Sequence, residues 1–292
     1  MNFRTDLAIE MQEYHQNKTL DGVLSKTETY DGIKITTIEI INEDGEKLIG
    51  KPKGRYITIE TEKLFKSSEA FSSVAKVLCR ELRKLMPKEG TVLVAGLGNE
   101  DITPDALGPK TLNQLLATRH ISSELSESLG LGELRSVAGI VPGVLGKTGI
   151  ETVEIIDGVV KKISPDCVIV IDALASRNTA RLGTTLQLCD TGVFPGSGVG
   201  NRRKGITAET LDIPVVAIGV PTVVDALTMA WDILEKKNIG LDENELLQHR
   251  QMMVTPKEID SLINKASQLI AMGINMALQK NLTAEDIAEI VS

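Results

Sequence analysis

Two aspartates lie where an apolar run gives way to a loop, and two carboxylates in one crevice can do acid–base chemistry on water. The first, Asp105, belongs to Gly96-Leu97-Gly98-Asn99-Glu100-Asp101-Ile102-Thr103-Pro104-Asp105-Ala106-Leu107-Gly108-Pro109, directly after the apolar run 91–95. The second, Asp172, follows the apolar run 167–171. In an α/β sheet ligands bind in the crevice beyond the carboxyl ends of the strands, so acids at two such ends can meet. Proximity then pushes their pKa values apart, leaving one carboxyl as proton donor and the other as base.

Each acid also has a structural reading. Thr103-Pro104-Asp105 has the form of a helix start, with threonine as cap and proline at the first position, but Gly108-Pro109 breaks any helix begun there and leaves Asp105 on a loop. Asp172 could cap a turn of helix over 173–177. Asp225, at the end of Val220-Pro221-Thr222-Val223-Val224-Asp225, is a third strand-end acid, and its place in a first helical turn favours a structural role. Gly98, Asn99, Thr103 and Asp225 are the candidate supporting residues of the site.

Other motifs carry less. Gly146-Lys147-Thr148 precedes a helix, but a phosphate-binding loop needs glycine at 141, where valine stands. Gly96 and Gly98 could open a dinucleotide fingerprint, yet its third glycine falls on Asp101. His15, His120 and His249 are scattered and lack metal-ligand spacing, so no metal or cofactor is expected. Ser197 has no nucleophile-elbow context; its glycine-rich loop, 195–203, reads as a mobile loop beside the site.

The elements that must position the two acids follow from periodicity. Residues 30–60 are β-rich, with a strand over 34–40, a turn at Asp44-Gly45 and a return over 56–59. Apolar spacing predicts a helix over 63–85, stopped by Pro87 and Gly90. Strands at 91–95, 134–138, 167–171, 184–189 and 215–220 alternate with helices at 109–118, 149–163 and 222–236. The near-continuous apolar strands imply a largely parallel sheet between helices, with its core over 88–236. Thr255-Pro256-Lys257-Glu258 reads as a capping-box start to a helix ending near 278, within a helical tail over 256–292.

Composition removes several classes of function. The 292 residues carry a net charge of −8 with 25% charged and 42% hydrophobic residues, a globular balance. That charge argues against a phosphate backbone as ligand, and 3% aromatics are too few for a base-stacking surface. Cys79, Cys167 and Cys189 are odd in number and widely spaced, as expected of buried, reduced thiols. The N-terminus lacks an apolar signal core and no 18-residue apolar run occurs, so neither secretion nor a membrane span is expected.

At RTDLAIE, GLGNEDITPDALGP, PGVLGKTGIETVEIIDGVV, PDCVIVIDALASR, GVPTVVDA and VTPKEID the chain resembles the germination protease family, collinearly over nearly its whole length. The resemblance implies an α/β fold shared with hydrogenase-maturation proteases and an atypical aspartic-type endopeptidase with Asp105 and Asp172 as its essential acids. It further implies small acid-soluble spore proteins as substrates, a homotetramer, and a cytoplasmic location in the spore core. It also implies a zymogen that removes residues 1–6 by cutting between Asp6 and Leu7, leaving 7–292 as one peptidase domain. Thr5-Asp6-Leu7-Ala8-Ile9-Glu10 is similar to the substrates' cleavage sequence. Two alternatives stay open: a maturation protease for a metalloenzyme subunit, and a non-enzymatic module binding a small molecule or phosphate through Gly96 and Gly98.

Overall fold

The computed structural model describes residues 5–15, 21–61, 68–197, 203–235 and 252–291. Nine strands among them make one sheet: β1 (Val23–Tyr30), β2 (Ile33–Ile40), β3 (Gly54–Glu60), β4 (Val92–Gly96), β5 (Val137–Ile140), β6 (Cys167–Ser176), β7 (Thr185–Cys189), β8 (Val215–Asp225) and β9 (Met253–Val254). Their order is β1-β2-β3-β7-β8-β6-β4-β5, with β9 on β8. The β5-β4-β6-β8 core is parallel, as the apolar runs imply, while β7 and the N-terminal strands are antiparallel. Pairing of β3 with β7 fuses the N-terminal antiparallel unit to this core.

Helices cover both faces. Strand residues alternate faces, and Ile169, Leu188 and Ile218 join one apolar cluster with α3 (Ser68–Leu85) and α10 (Ile259–Leu278). On the opposite face Val168 and Val170 meet α7 (Thr152–Ile163) through Val153, Ile156 and Val160. Farther along that face Leu174, Cys189 and Tyr56 meet α1 (Ala8–Tyr14) and α2 (Glu43–Ile49). Asp172 shares the parity of Val170 and Leu174, so it stands between these two covered areas. The three cysteines are buried and free, as expected.

Several expected elements differ, each for a local reason. Asp44-Gly45 is not a turn but lies in α2, which Asn42 caps by accepting from the Gly45 N–H at 2.9 Å. The tight turn is instead Asp31-Gly32, both at positive φ, and it joins β2 to a strand, β1, whose exposed side chains gave no apolar signal. The helix expected over 109–118 is the short α4 (Leu107–Leu112); beyond it the chain is tied elsewhere, the Leu116 N–H to Asn275 Oδ1 and the Thr118 N–H to Val137 O. Helix α7 starts at Thr152, since Gly149 in the left-handed region ends α6 (Leu145–Thr148) and Glu151 with Glu154 forms the capping box.

At the C-terminus Thr255 does not cap α10; its hydroxyl donates to Thr222 O and the helix begins at Ile259. A further helix, α11 (Ala284–Val291), follows. The helix expected from 63 is described from Ser68, and the one over 222–236 is α9 (Ala226–Glu235). His249 and residues 198–202 of the glycine-rich loop lie outside the described residues.

Candidate active site

The site begins with the register of β4 against β6. Val92 pairs with Cys167 and Gly96 with Ile171, and the Leu97 N–H donates to Ile171 O at 2.8 Å. The loop after β4 therefore leaves the sheet beside Asp172. It closes in a 3-10 turn, Thr103–Asp105, with Pro104 in its first positions and Ile102, not Thr103, at the cap. The Asn99 N–H donates to Asp105 Oδ2 at 2.7 Å, and the Asn99 side chain accepts from the Asp101 N–H at 3.1 Å. Asn99 thus serves the site through its backbone.

Gly98 is required by close approach. It holds φ +108°, and a Cβ there would sit 1.9 Å from the Asp105 carbonyl oxygen. This stretch is filled by its own chain, which leaves Gly98 no open phosphate cradle. Gly98→Ala should cost about 2 kcal/mol through strain at positive φ and displace Asp105. Urea unfolding checks the cost, and a wild-type midpoint would mean that Gly98 is not required here.

Asp172 is not at a strand end. Strand β6 continues to Ser176 because β8 pairs with it in parallel as far as Ser176↔Val224, across a bulge at Leu174/Ala175. Asp172 pairs with Gly219, which in turn pairs with Gln187 on β7. Asp172 and Gln187 thus flank Gly219 in one row, and the Leu174 side chain lies over Gly219, 2.5 Å from where a Cβ would stand.

Electrostatics separate the two acids. Burial raises the Asp172 pKa well above the aspartate value, and the charges of Asp105 and Asp6 raise it further, against one N–H from Ala173. Burial also raises Asp105, but the Asn99 N–H stabilises its ionised form. Such an arrangement can hold one proton on Asp172 while Asp105 remains the better base.

A cavity of about 720 Å³ opens here, walled by Asp6, Asp172, Leu174, Gln187, Ser197 and Asp225 among others. Asp105 is not in its wall; it meets the site through Asp172. Asp225 is 3% exposed and ends β8, its Oδ2 accepting from the N–H and hydroxyl of Thr228 at 3.1 and 2.9 Å. That is the structural role expected of a first-turn acid. Its Oδ1 is buried without a hydrogen-bond partner.

Asp6 and Leu7 dock in this crevice. The Asp6 N–H donates to Ala175 O at 2.8 Å, the Ala175 N–H donates back to Asp6 Oδ2 at 2.9 Å, and Leu7 is fully buried. Farther along, Glu10 accepts from the N–H groups of Arg177 and Asn178 at 2.7 and 2.9 Å and from the Thr5 hydroxyl. Arg181, 8% exposed, bonds Glu60 at 3.0 Å and Glu13 at 2.6 Å and lies 3.7 Å from Glu10. Arg181→Met would strand these carboxylates and should cost about 3 kcal/mol. Urea unfolding measures it, and a loss below about 1 kcal/mol would mean the network is screened as surface pairs are.

Sequence reasoning missed Gln187. Its signal was present: one polar residue inside the apolar strand Thr185-Leu186-Gln187-Leu188-Cys189, where every position is buried.

Acidic side chains gathered on a half-parallel sheet, with the chain's own Thr5 and Asp6 laid beside them, define an α/β protein with an acidic, peptide-lined crevice. The profile of the family described as germination protease matches residues 4–237. The germination protease of Caldanaerobacter subterraneus subsp. tengcongensis is 45% identical, covering 100% of this chain and 98% of that one. That of Priestia megaterium is 38% identical, covering 97% of this chain and 95% of that one. A solved nickel–iron hydrogenase maturation protease from Thermococcus kodakarensis covers 68% of this chain and 98% of its own, at 16% identity and TM-score 0.39, a likeness too slight to bear on the chemistry. The chain belongs to the germination protease family. It is accordingly a peptidase, a hydrolase of spore germination, and the non-enzymatic alternative falls away. No described helix is long and apolar enough to cross a membrane.

Proposed function

We propose that this chain is an aspartic-type endopeptidase of the spore core, made as a zymogen, that cuts itself between Asp6 and Leu7 and then degrades small acid-soluble spore proteins. The observation that carries this reading is the docking of Asp6-Leu7 in the crevice of Asp172, with Asp105 close enough for its charge to act there. Residues 1–6 are then the propeptide and 7–292 the peptidase domain.

In this mechanism Asp105, whose charge acts on Asp172, takes a proton from a water that enters beside Asp172 when the substrate is bound, and the hydroxide adds to the scissile carbonyl carbon. Asp172 donates a hydrogen bond to the carbonyl oxygen and then gives its proton to the leaving nitrogen as the C–N bond breaks. One water is consumed, and the two carboxyls exchange their remaining proton through solvent. The net charge of −8 supports substrates that are proteins rather than nucleic acid.

Incubating the purified protein with a small acid-soluble spore protein and identifying the products by mass tests the substrate. Cuts after acidic residues that precede an apolar one are expected; an intact substrate overturns the assignment. A homotetramer is part of the same proposal and rests on the family resemblance. Light scattering should give four times the 31.6 kDa chain, and a monomer mass contradicts it.

A further inference from the structure

Around the docked Asp6 the neighbouring side chains make specific contacts with the backbone on both sides of the Asp6–Leu7 bond. Gln187, 7% exposed, makes a two-point clamp with one amide: Nε2 donates to the Asp6 carbonyl oxygen at 2.8 Å, and Oε1 accepts from the Ala8 N–H at 2.8 Å. The Asp6–Leu7 peptide bond lies between those two points. Neither hydrogen bond depends on the side chains of residues 6–8, so the clamp fixes backbone register and leaves sequence unread.

The side chain of residue 6 is read separately. Its Oδ2 accepts from the Ala175 N–H at 2.9 Å and its Oδ1 from the Ser197 hydroxyl at 2.8 Å. The Ala175 N–H can only donate, while the Ser197 hydroxyl can donate or accept. A side chain at position 6 that carries a polar oxygen at this reach keeps both bonds, whereas an apolar one loses both.

We propose that Gln187 and Ser197 form the subsite that sets the cleavage position, Gln187 by holding the carbonyl to be attacked and Ser197, with the Ala175 amide, by holding the polar side chain on its amino side. The proposal rests on the self-processing reading given above. In the reaction water adds to the Asp6 carbonyl carbon, the C–N bond to Leu7 breaks, and the new carboxylate and amine share the elements of that water. Negative charge gathers on the carbonyl oxygen on the way, where the Gln187 N–H already points, the position from which a donor acts most strongly. The Asp6 carboxylate also helps to raise the Asp172 pKa, so a correctly seated acid favours the protonated donor.

The test follows loss of residues 1–6 from the full chain by intact mass over time. Asp6→Ala should slow cleavage about tenfold in the wild-type background, and by a clearly smaller factor beside Ser197→Ala. An equal factor in both backgrounds overturns the holding role of Ser197. Gln187→Met should slow cleavage about 100-fold. In a chain made uncuttable by Asp105→Asn, Gln187→Met should also speed amide exchange at Ala8, and unchanged exchange there overturns the clamp. A wild-type chain that never loses residues 1–6 overturns the self-processing reading, and the subsite with it. A chain that loses them at the wild-type rate without Gln187 overturns the subsite alone.

Discussion

Asp105→Asn and Asp172→Asn should each lower the rate of proteolysis about 10³-fold or more, with the fold intact. General acid–base catalysis by a positioned group is worth roughly 10² to 10⁴, and the reaction needs both the base and the proton donor. Asp172 is held protonated in part by Asp105, so removing Asp105 also weakens the donor. The double variant should therefore be scarcely slower than the single ones, because residues that act as a unit are not additive. Additive losses would mean that the two acids act independently. Neither substitution leaves a large cavity, since asparagine is isosteric with aspartate, and the half-buried positions of both side chains tolerate the amide. Circular dichroism and the urea midpoint keep an inactive chain distinct from an unfolded one.

The second large effect concerns stability against pH. The folded-state pKa of Asp172 is raised well above its ordinary value. Between the unfolded pKa of about 3.9 and that raised value, the native chain keeps a proton that the unfolded chain has lost. The group's contribution is thus fully present below about pH 3.9 and is lost as pH rises towards the folded pKa, by up to about 1.4 kcal/mol per pH unit. Asp172→Asn has no such proton. Its stability relative to wild type should climb through this window, while carboxylates with lowered pKa values, such as Glu28, cancel in the comparison. Urea midpoints of the two proteins from about pH 5 to about pH 8 measure the difference, and a constant gap would contradict the assignment of a raised pKa to Asp172.

Much of the architecture was legible because the signals were local. The runs 91–95 and 167–171 are apolar enough to be strands buried on both faces, and α3 and α7 show their apolar faces at helical spacing. What escaped depended on partners far away in sequence. Residues 173–176 have no strand signature apart from β8, and β8 itself contains Pro221, which reads as a stop; each extends only because it pairs with the other. The Asp44-Gly45 dipeptide reads as a turn until Asn42 is seen to cap a helix around it.

The site was legible in the same measure. Asp105 and Asp172 could be singled out as acids following two apolar runs, and the structure makes those runs, β4 and β6, neighbours. Gln187 could not, because its alignment with Asp172 passes through Gly219 on a third strand. Ser197 reads as loop until the Asp6 carboxylate is placed against it. Thr5-Asp6-Leu7-Ala8-Ile9-Glu10 was recognised as substrate-like, but only the fold lays Asp6 at the crevice.

The intact mass of the purified chain, followed over time beside the Asp105→Asn and Asp172→Asn variants, tests the central claim most directly. Wild type should lose residues 1–6 and expose Leu7 as its new N-terminus, while both variants keep their full mass. Loss of the same six residues from either variant at the wild-type rate would contradict a catalytic pair formed by Asp105 and Asp172.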